Sequence, residues 1–356
     1  MVHVGVLGAG AVGAFFGGRI LAGNEGEGAV EDLKVTLVGR SSLLKAVEEA
    51  GGMLTTATVH GETNVMRVGK DLVVTDKMEE LSDCDIIIVA VKGGQTETVA
   101  RELAAILREN PKPRTLVSLQ NGVCNAQTLR DNIPLDGVSV LAGMLVFNII
   151  WNDATFTQTS TGETFLQDGP HAALFARMCA RGGVEVEVEE DITPRQYGKL
   201  LLNMSNAINA LAGVPTLETL MNPEFRKVAV LSMNEALAVF DKAGISVQSP
   251  SKGGYIRLLP VIFALPQLVF KFVFPYILKI NPTAKTSMLQ DLERGRLTEI
   301  DLLNGEITRV AKAHGIDEPK VNTELIALVK AAEGNGSPHF AGEDLLHRVR
   351  GAQTKL

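Results

Sequence analysis

Val4-Gly5-Val6-Leu7-Gly8-Ala9-Gly10-Ala11-Val12-Gly13 is the stretch that decides the fold of the first half of the chain. A short apolar run leads straight into glycines spaced GxGxxG, and the residues that follow, through Phe16 and Ile20, are apolar at helical spacing. A strand, a glycine turn and a helix in that order form the fingerprint of a dinucleotide site: Gly8 makes the tight turn, Gly10 lets backbone approach a pyrophosphate, and Gly13 lets helix and strand pack closely. Ala9, Ala11 and Val12 belong to the same cradle. Further along, Val35 to Val38, Ile86 to Val91, Thr115 to Leu119 and Val138 to Phe147 are apolar runs separated by helical patterns. Continuous Val/Ile/Leu runs alternating with helices predict a parallel sheet covered on both faces, a Rossmann-type doubly wound α/β domain. Ala154 to Gln158, Glu163 to Gln167 and Val184 to Val188 are expected to extend that sheet with antiparallel pairs, and Glu187, Glu189 and Glu190 suggest a solvated edge.

From Thr193 the period becomes helical over Gln196 to Leu211, Pro223 to Ala243 and Thr298 to His314. The organisation expected is therefore a dinucleotide-binding domain over 1–192, a helical substrate domain over 193–334, and a loosely held polar tail over 335–356. A length of 356 residues suits two domains better than one core. Charged residues of both signs are intermixed with a net charge of −7, which leaves no footprint for nucleic acid. Cys84, Cys124 and Cys179 are scattered and odd in number, so a disulfide framework is not expected and a cytoplasmic setting fits. The histidines, His60 and His171 among them, form no ligand cluster, and no metal is implied.

Charge on the cofactor must then be met by a few placed cations. At the end of the second strand, where NAD enzymes carry an acid, this chain has Gly39-Arg40. A carboxylate there accepts from the ribose 2′-hydroxyl, whereas an arginine pairs with a 2′-phosphate, so NADP is preferred to NAD. Val91-Lys92 and Gln120-Asn121-Gly122 end two later strands, where open α/β sheets bind ligands. Lys92 and Asn121 are expected to face the cleft, although Asn121-Gly122 also reads as a plain turn and Lys92 as a solvated lysine. The loop Gly23 to Gly28 reads as a solvated insertion.

Leu258 to Ile280 is strongly apolar and about as long as a membrane span. Pro260, Pro266, Pro275 and Lys271 interrupt it, and each is costly in lipid. A packed pair of short helices or a homodimer contact is the expectation, and membrane attachment the less favoured one.

Taken in order, Gly8 to Gly13, Val91-Lys92, Gln120-Asn121-Gly122, Lys199 to Asn203, Ser287-Met288-Leu289-Gln290-Asp291 and Gly295-Arg296-Leu297-Thr298-Glu299-Ile300-Asp301 resemble the ketopantoate reductase family, over nearly the whole chain through Pro319 and Asn322. The resemblance implies that Lys199 is a general acid protonating the carbonyl oxygen of a 2-oxo acid as hydride arrives. A positioned ammonium suits that role, because hydride addition builds negative charge on oxygen. Asn203, one helical turn on, shares the face of Lys199 and by the same likeness binds substrate. Where the family pattern would place a further asparagine stands Ala207, flanked by Asn206 and Asn209, with Asn206 a candidate ligand. The likeness also makes Glu299 a substrate-binding, catalytic glutamate and Ser287 a contact for the substrate carboxylate.

On one straight helix Ser287 and Glu299 would stand roughly 18 Å apart, so a break is expected, with Gly295 ending one helix and Thr298 and Asp301 opening the next. Ser287 equally fits a capping box with Gln290, and Glu299 a dipole-stabilising acid. The function expected is NADPH-dependent reduction of 2-dehydropantoate across an interdomain cleft. The alternatives are reduction of a different 2-oxo acid, or an NADP(H)-sensing protein without chemistry, for which Lys199 beside Asn203 would have no use.

Overall fold

Val4, Val6, Ile86, Ile87, Ile88 and Val89 have no accessible surface, as strands covered on both faces require. The structure, a computed structural model, describes residues 2–277 and 281–354, without the side chains of 274–277. The chain divides into two compact units, Met1–Ile192 and Thr193–Leu356.

In the first unit the strands are β1 Val2–Leu7, β2 Leu33–Val38, β3 Met53–Ala57, β4 Thr63–Arg67, β5 Leu72–Thr75, β6 Ile86–Val89, β7 Arg114–Leu119, β8 Val138–Leu145, β9 Ile149–Asn152, β10 Thr155–Gln158, β11 Thr164–Gln167 and β12 Val186–Glu189. The helices are α1 Ala11–Ala22, α2 Ser41–Glu49, α3 Thr96–Glu109, α4 Asn125–Asn132 and α5 Ala172–Arg181. An eight-stranded sheet runs β12-β11-β8-β7-β6-β1-β2-β5. All its pairs are parallel except β8 with β11, and β12 and β5 are its edge strands. On one face Phe15 and Phe16 of α1 pack with Phe147. On the other, Ala100, Leu103 and Leu107 of α3 and Leu129 of α4 cover the strands.

Two parts of one expectation are corrected here: β12 joins the main sheet by a parallel pair with β11, not an antiparallel one. The segment 154–158 does not extend the main sheet: β10 lies in a second, four-stranded sheet, β4-β3-β10-β9, paired in parallel with β3 and antiparallel with β9. This sheet is held to α1 by Arg19, which is buried and donates to Gly182 O, Asn64 Oδ1 and Glu62 Oε2. A guanidinium so placed would be costly unless its donors were met.

In the second unit the helices are α6 Thr193–Ala212, α7 Thr216–Met221, α8 Pro223–Lys242, α9 Leu259–Phe263, α10 Gln267–Ile277, α11 Ser287–Glu293, α12 Asn304–Ala313, α13 Lys320–Ala332 and α14 Gly342–Thr354. Asn222 caps α8, accepting from Glu224 N at 2.8 Å, with Pro223 in the first turn. Asn322, fully buried, accepts from Ser232 Oγ and Asn304 Nδ2 and donates to Glu235, tying α8, α12 and α13 together.

The apolar segment 258–280 forms short helices as expected, as far as it lies within the described residues. Phe263 and Phe270 are buried edge to face, and the Arg226 guanidinium lies 4.0 Å over the Phe270 ring while donating to Phe263 O. The outer face shows Leu258, Val261, Leu268, Val269 and Phe272 to solvent. Among the described residues no helix is long and apolar enough to cross a membrane.

The tail is a second correction. Residues 342–354 form α14, whose Leu345 and Val349 have no exposed surface and which packs on α8 and α13. Ahead of it, Phe340 N donates to Leu211 O at 2.9 Å and Ser337 Oγ to Ala210 O at 2.7 Å. Leu345, Leu346 and Val349, at helical spacing, outweigh the polar composition around them.

Candidate active site

At the carboxyl end of β1, Gly8 takes φ +92, and a side chain there would strike the backbone of Val91. Gly13 similarly lies against Gly8 O and Val6 Cγ1. Gly10 differs: no atom lies within 4 Å of where its Cβ would be, and the N-terminus of α1 that it opens carries no side-chain cap. Two glycines are filled by protein and the third faces open space above a helix N-terminus, an arrangement that fits a dinucleotide pyrophosphate. Ala9 lies in this turn, and Ala11 and Val12 open α1.

Arg40 follows β2, exposed, and donates to Gln95 Oε1 at 3.1 Å. Lys92 is exposed at the end of β6, and Asn121 is half-buried at the end of β7. Beneath Asn121 runs a polar chain that sequence reading did not find. Gln120 Nε2 donates to Val91 O and Thr96 Oγ1, the Thr96 hydroxyl donates to Asn125 Oδ1, and Asn125 Nδ2 donates to Asn121 O at 2.6 Å. These buried residues fix the two strand ends to one another. A buried glutamine at a strand terminus was the available signal.

In the helical unit, α6 turns Tyr197, Gly198, Leu200, Leu201, Met204 and Ala207 inward, which leaves Lys199, Asn203 and Asn206 on the partly exposed face. The rotation is fixed from two sides. The Tyr197 hydroxyl donates to Glu306 Oε1 at 3.0 Å, and its ring meets Phe240 edge-on. Gly198 lies against the backbone of Gln248, whose N donates to Pro194 O, and Arg195 donates to Ser249 O. Loss of hydration around Lys199 lowers its pKa from the ordinary 10.5 to about 8, while the Glu299 carboxylate acts in the opposite direction. The structure thus couples Lys199 with Glu299, as well as placing Asn203 beside it.

Helix α11 ends as expected: Gly295 has φ +63, Gly295 N donates to Leu292 O, and Arg296 N to Asp291 O, a complete Schellman motif. Two local expectations are corrected. Thr286, not Ser287, caps α11, accepting from Leu289 N at 3.3 Å, while Gln290 Nε2 donates to Lys285 O. Ser287 is exposed in the first turn, outside any capping box. The next helix opens at Asn304, not at Thr298: Thr298 gives both its N–H and its hydroxyl to Glu333 Oε1, at 2.8 and 2.7 Å, and its Oγ1 accepts from Ile300 N at 3.3 Å, which caps only a turn. Glu299 therefore lies in a turn, its carbonyl accepting from Leu302 N and Leu303 N, and does not serve a helix dipole.

A Rossmann-type unit with an open glycine cradle, joined in one chain to a helical unit bearing a lysine of lowered pKa, defines a pyridine-nucleotide-dependent oxidoreductase. The family is shown by sequence: residues 4–171 match the model of ketopantoate reductase PanE/ApbA, and residues 191–333 that of its C-terminal region. The chain belongs to the ketopantoate reductase family. It is 29% identical over 339 residues to a 2-dehydropantoate 2-reductase of Archaeoglobus fulgidus, covering 93% of this chain and 98% of the relative. Among solved structures it is similar to a PanE/ApbA family ketopantoate reductase from Ralstonia eutropha, with a TM-score of 0.73 and 26% identity over 93% of this chain and 98% of that one. It also shares its fold, with a TM-score of 0.71 and 21% identity over 93% of this chain and 98% of the other, with a D-mandelate dehydrogenase held in a ternary structure with NADH and anilino(oxo)acetate.

Proposed function

We propose that this chain reduces 2-dehydropantoate to pantoate with NADPH, a step toward pantothenate and coenzyme A, in the cytoplasm. The observation that carries this reading is Lys199, an ammonium with a pKa of about 8 on one face with Asn203 and coupled to Glu299. When bound, the reduced nicotinamide supplies the hydride. Lys199 donates its Nζ proton to the carbonyl oxygen, where negative charge would otherwise accumulate, and a pKa close to the working pH suits a group that must hold a proton and then release it. Glu299 favours the protonated amine and also accepts from the substrate. Asn121, Asn203 and Asn206 orient the substrate's polar groups, and Ser287 donates to its carboxylate. On the cofactor side Gly8 to Gly13 receive the pyrophosphate, Lys92 and Asn121 flank it, and Arg40 pairs with the 2′-phosphate. A D-mandelate dehydrogenase of similar fold is described with NADH; the reading of NADPH for this chain rests on Arg40.

Turnover of 2-oxo acids by the purified protein tests the reading. The highest kcat/KM is expected for 2-dehydropantoate with NADPH, and Lys199→Ala should lower kcat about 10²- to 10⁴-fold in a folded protein. An unaffected Lys199→Ala variant would remove the mechanism. A second reading, reduction of a different 2-oxo acid, is favoured by Ala207, which is fully buried where the family likeness would put an asparagine. A best substrate lacking the pantoate skeleton would establish it.

A further inference from the structure

Asn209, one turn beyond Asn206 on α6, is 1% exposed and spends its whole carboxamide. Nδ2 donates to Val214 O at 2.8 Å and to Thr219 Oγ1 at 2.9 Å. Oδ1 accepts from Thr286 N at 3.2 Å and from Thr286 Oγ1 at 2.8 Å. Thr286 is the residue that caps α11, so its hydroxyl donates to Asn209 while accepting from Leu289 N. The next residue is Ser287.

Helix α11 has seven residues, too few to hold a helix by propensity alone. Met288, Leu289 and Leu292 bury it, but apolar contact is non-directional and does not fix rotation or register. Directional bonds do that, and at the start of α11 they run to Asn209. An asparagine fits because the site needs two donors on one side and a double acceptor on the other, which neither aspartate nor leucine offers.

We propose that Asn209 and Thr286 are positioning residues for substrate binding: they pin the first turn of α11, and with it Ser287, against the helix that carries Lys199 and Asn203. The proposal rests on the reading of Ser287 as a ligand of the substrate carboxylate. It assigns neither residue to the chemical step, so its signature is in KM for the oxo acid and not in kcat.

Steady-state kinetics with 2-dehydropantoate and NADPH, with Tm measured for each variant, test it. Thr286→Val keeps the shape and removes the two bonds of the hydroxyl, to Asn209 Oδ1 and from Leu289 N, leaving the backbone N–H on Asn209. It should raise KM for the oxo acid about 10-fold, with kcat changed less than about 3-fold and KM for NADPH unchanged. Thr286→Ser, which keeps the hydroxyl, should restore the parent KM. If Thr286 acts through Ser287, the double variant Thr286→Val/Ser287→Ala should have a KM no higher than the worse single variant. Multiplying effects in the double variant, or a lower Tm with an unchanged KM in Thr286→Val, would overturn the positioning role while Ser287 keeps its own. An unchanged KM in Ser287→Ala would instead overturn the reading of Ser287, and the positioning role with it. Asn209→Leu, which removes the acceptor that holds Thr286, should behave as Thr286→Val does; should it fail to fold, the partly exposed Thr286 decides.

Discussion

An ammonium whose pKa has fallen to about 8 is protonated through neutral pH and loses its proton just above it. If Lys199 is the acid, kcat/KM for oxo-acid reduction should fall as pH rises through about 8, since only the protonated amine can donate. Burial lowers that pKa and Glu299 raises it, so Glu299→Gln should move the fall to lower pH. A pH profile unmoved by Glu299→Gln would show that the two groups are not coupled in the working enzyme. Arg40 makes a different prediction. A charge-assisted contact with a 2′-phosphate is worth about 1.5–3 kcal/mol, so Arg40→Ala should weaken NADPH about 10- to 100-fold and NADH hardly at all. Equal losses in fluorescence titrations with the two cofactors would mean that the phosphate is read elsewhere.

At the scale of elements, the turn between α11 and Glu299 depends on the left-handed backbone of Gly295. Gly295→Val should cost about 1–2 kcal/mol, seen as a Tm lower by roughly 2–8 °C, because a branched residue is strained at positive φ. It should also raise KM for substrate, since Glu299 follows four residues later. The parallel strands were legible in the sequence because runs such as Ile86-Ile87-Ile88-Val89 admit no other burial. The second sheet was not: Met53–Ala57 and Thr63–Arg67 are short and broken by polar residues, and the partner of the first is about a hundred residues away. Thr298 misled for a similar reason: its hydroxyl donates to Glu333 and, accepting from Ile300 N, caps a turn and not a helix. Lys199 and Asn203 could be placed on one face from helical spacing alone. The supports of Asn121 and of Ser287 could not, because Thr96 and Asn209 reach partners that only the folded chain brings near.

At the scale of the whole molecule, Leu258, Val261, Leu268, Val269 and Phe272 form an exposed apolar row of the kind that association covers. A homodimer is the reading proposed for it, and Leu268→Lys with Phe272→Lys should shift the sedimentation profile from dimer toward monomer with Tm little changed. A parent protein that already sediments as a monomer would remove that reading. The far end of the chain matters in another way. The family's C-terminal model stops at residue 333, whereas the helix Gly342–Thr354 lies beyond it. A gene shortened to that boundary would leave an open greasy seam along α8. It would also unfasten the carbonyls of Ala210 and Leu211, at the opposite end of the helix that bears the lysine. Such a shortened product should show a larger aggregated fraction than the full chain on gel filtration.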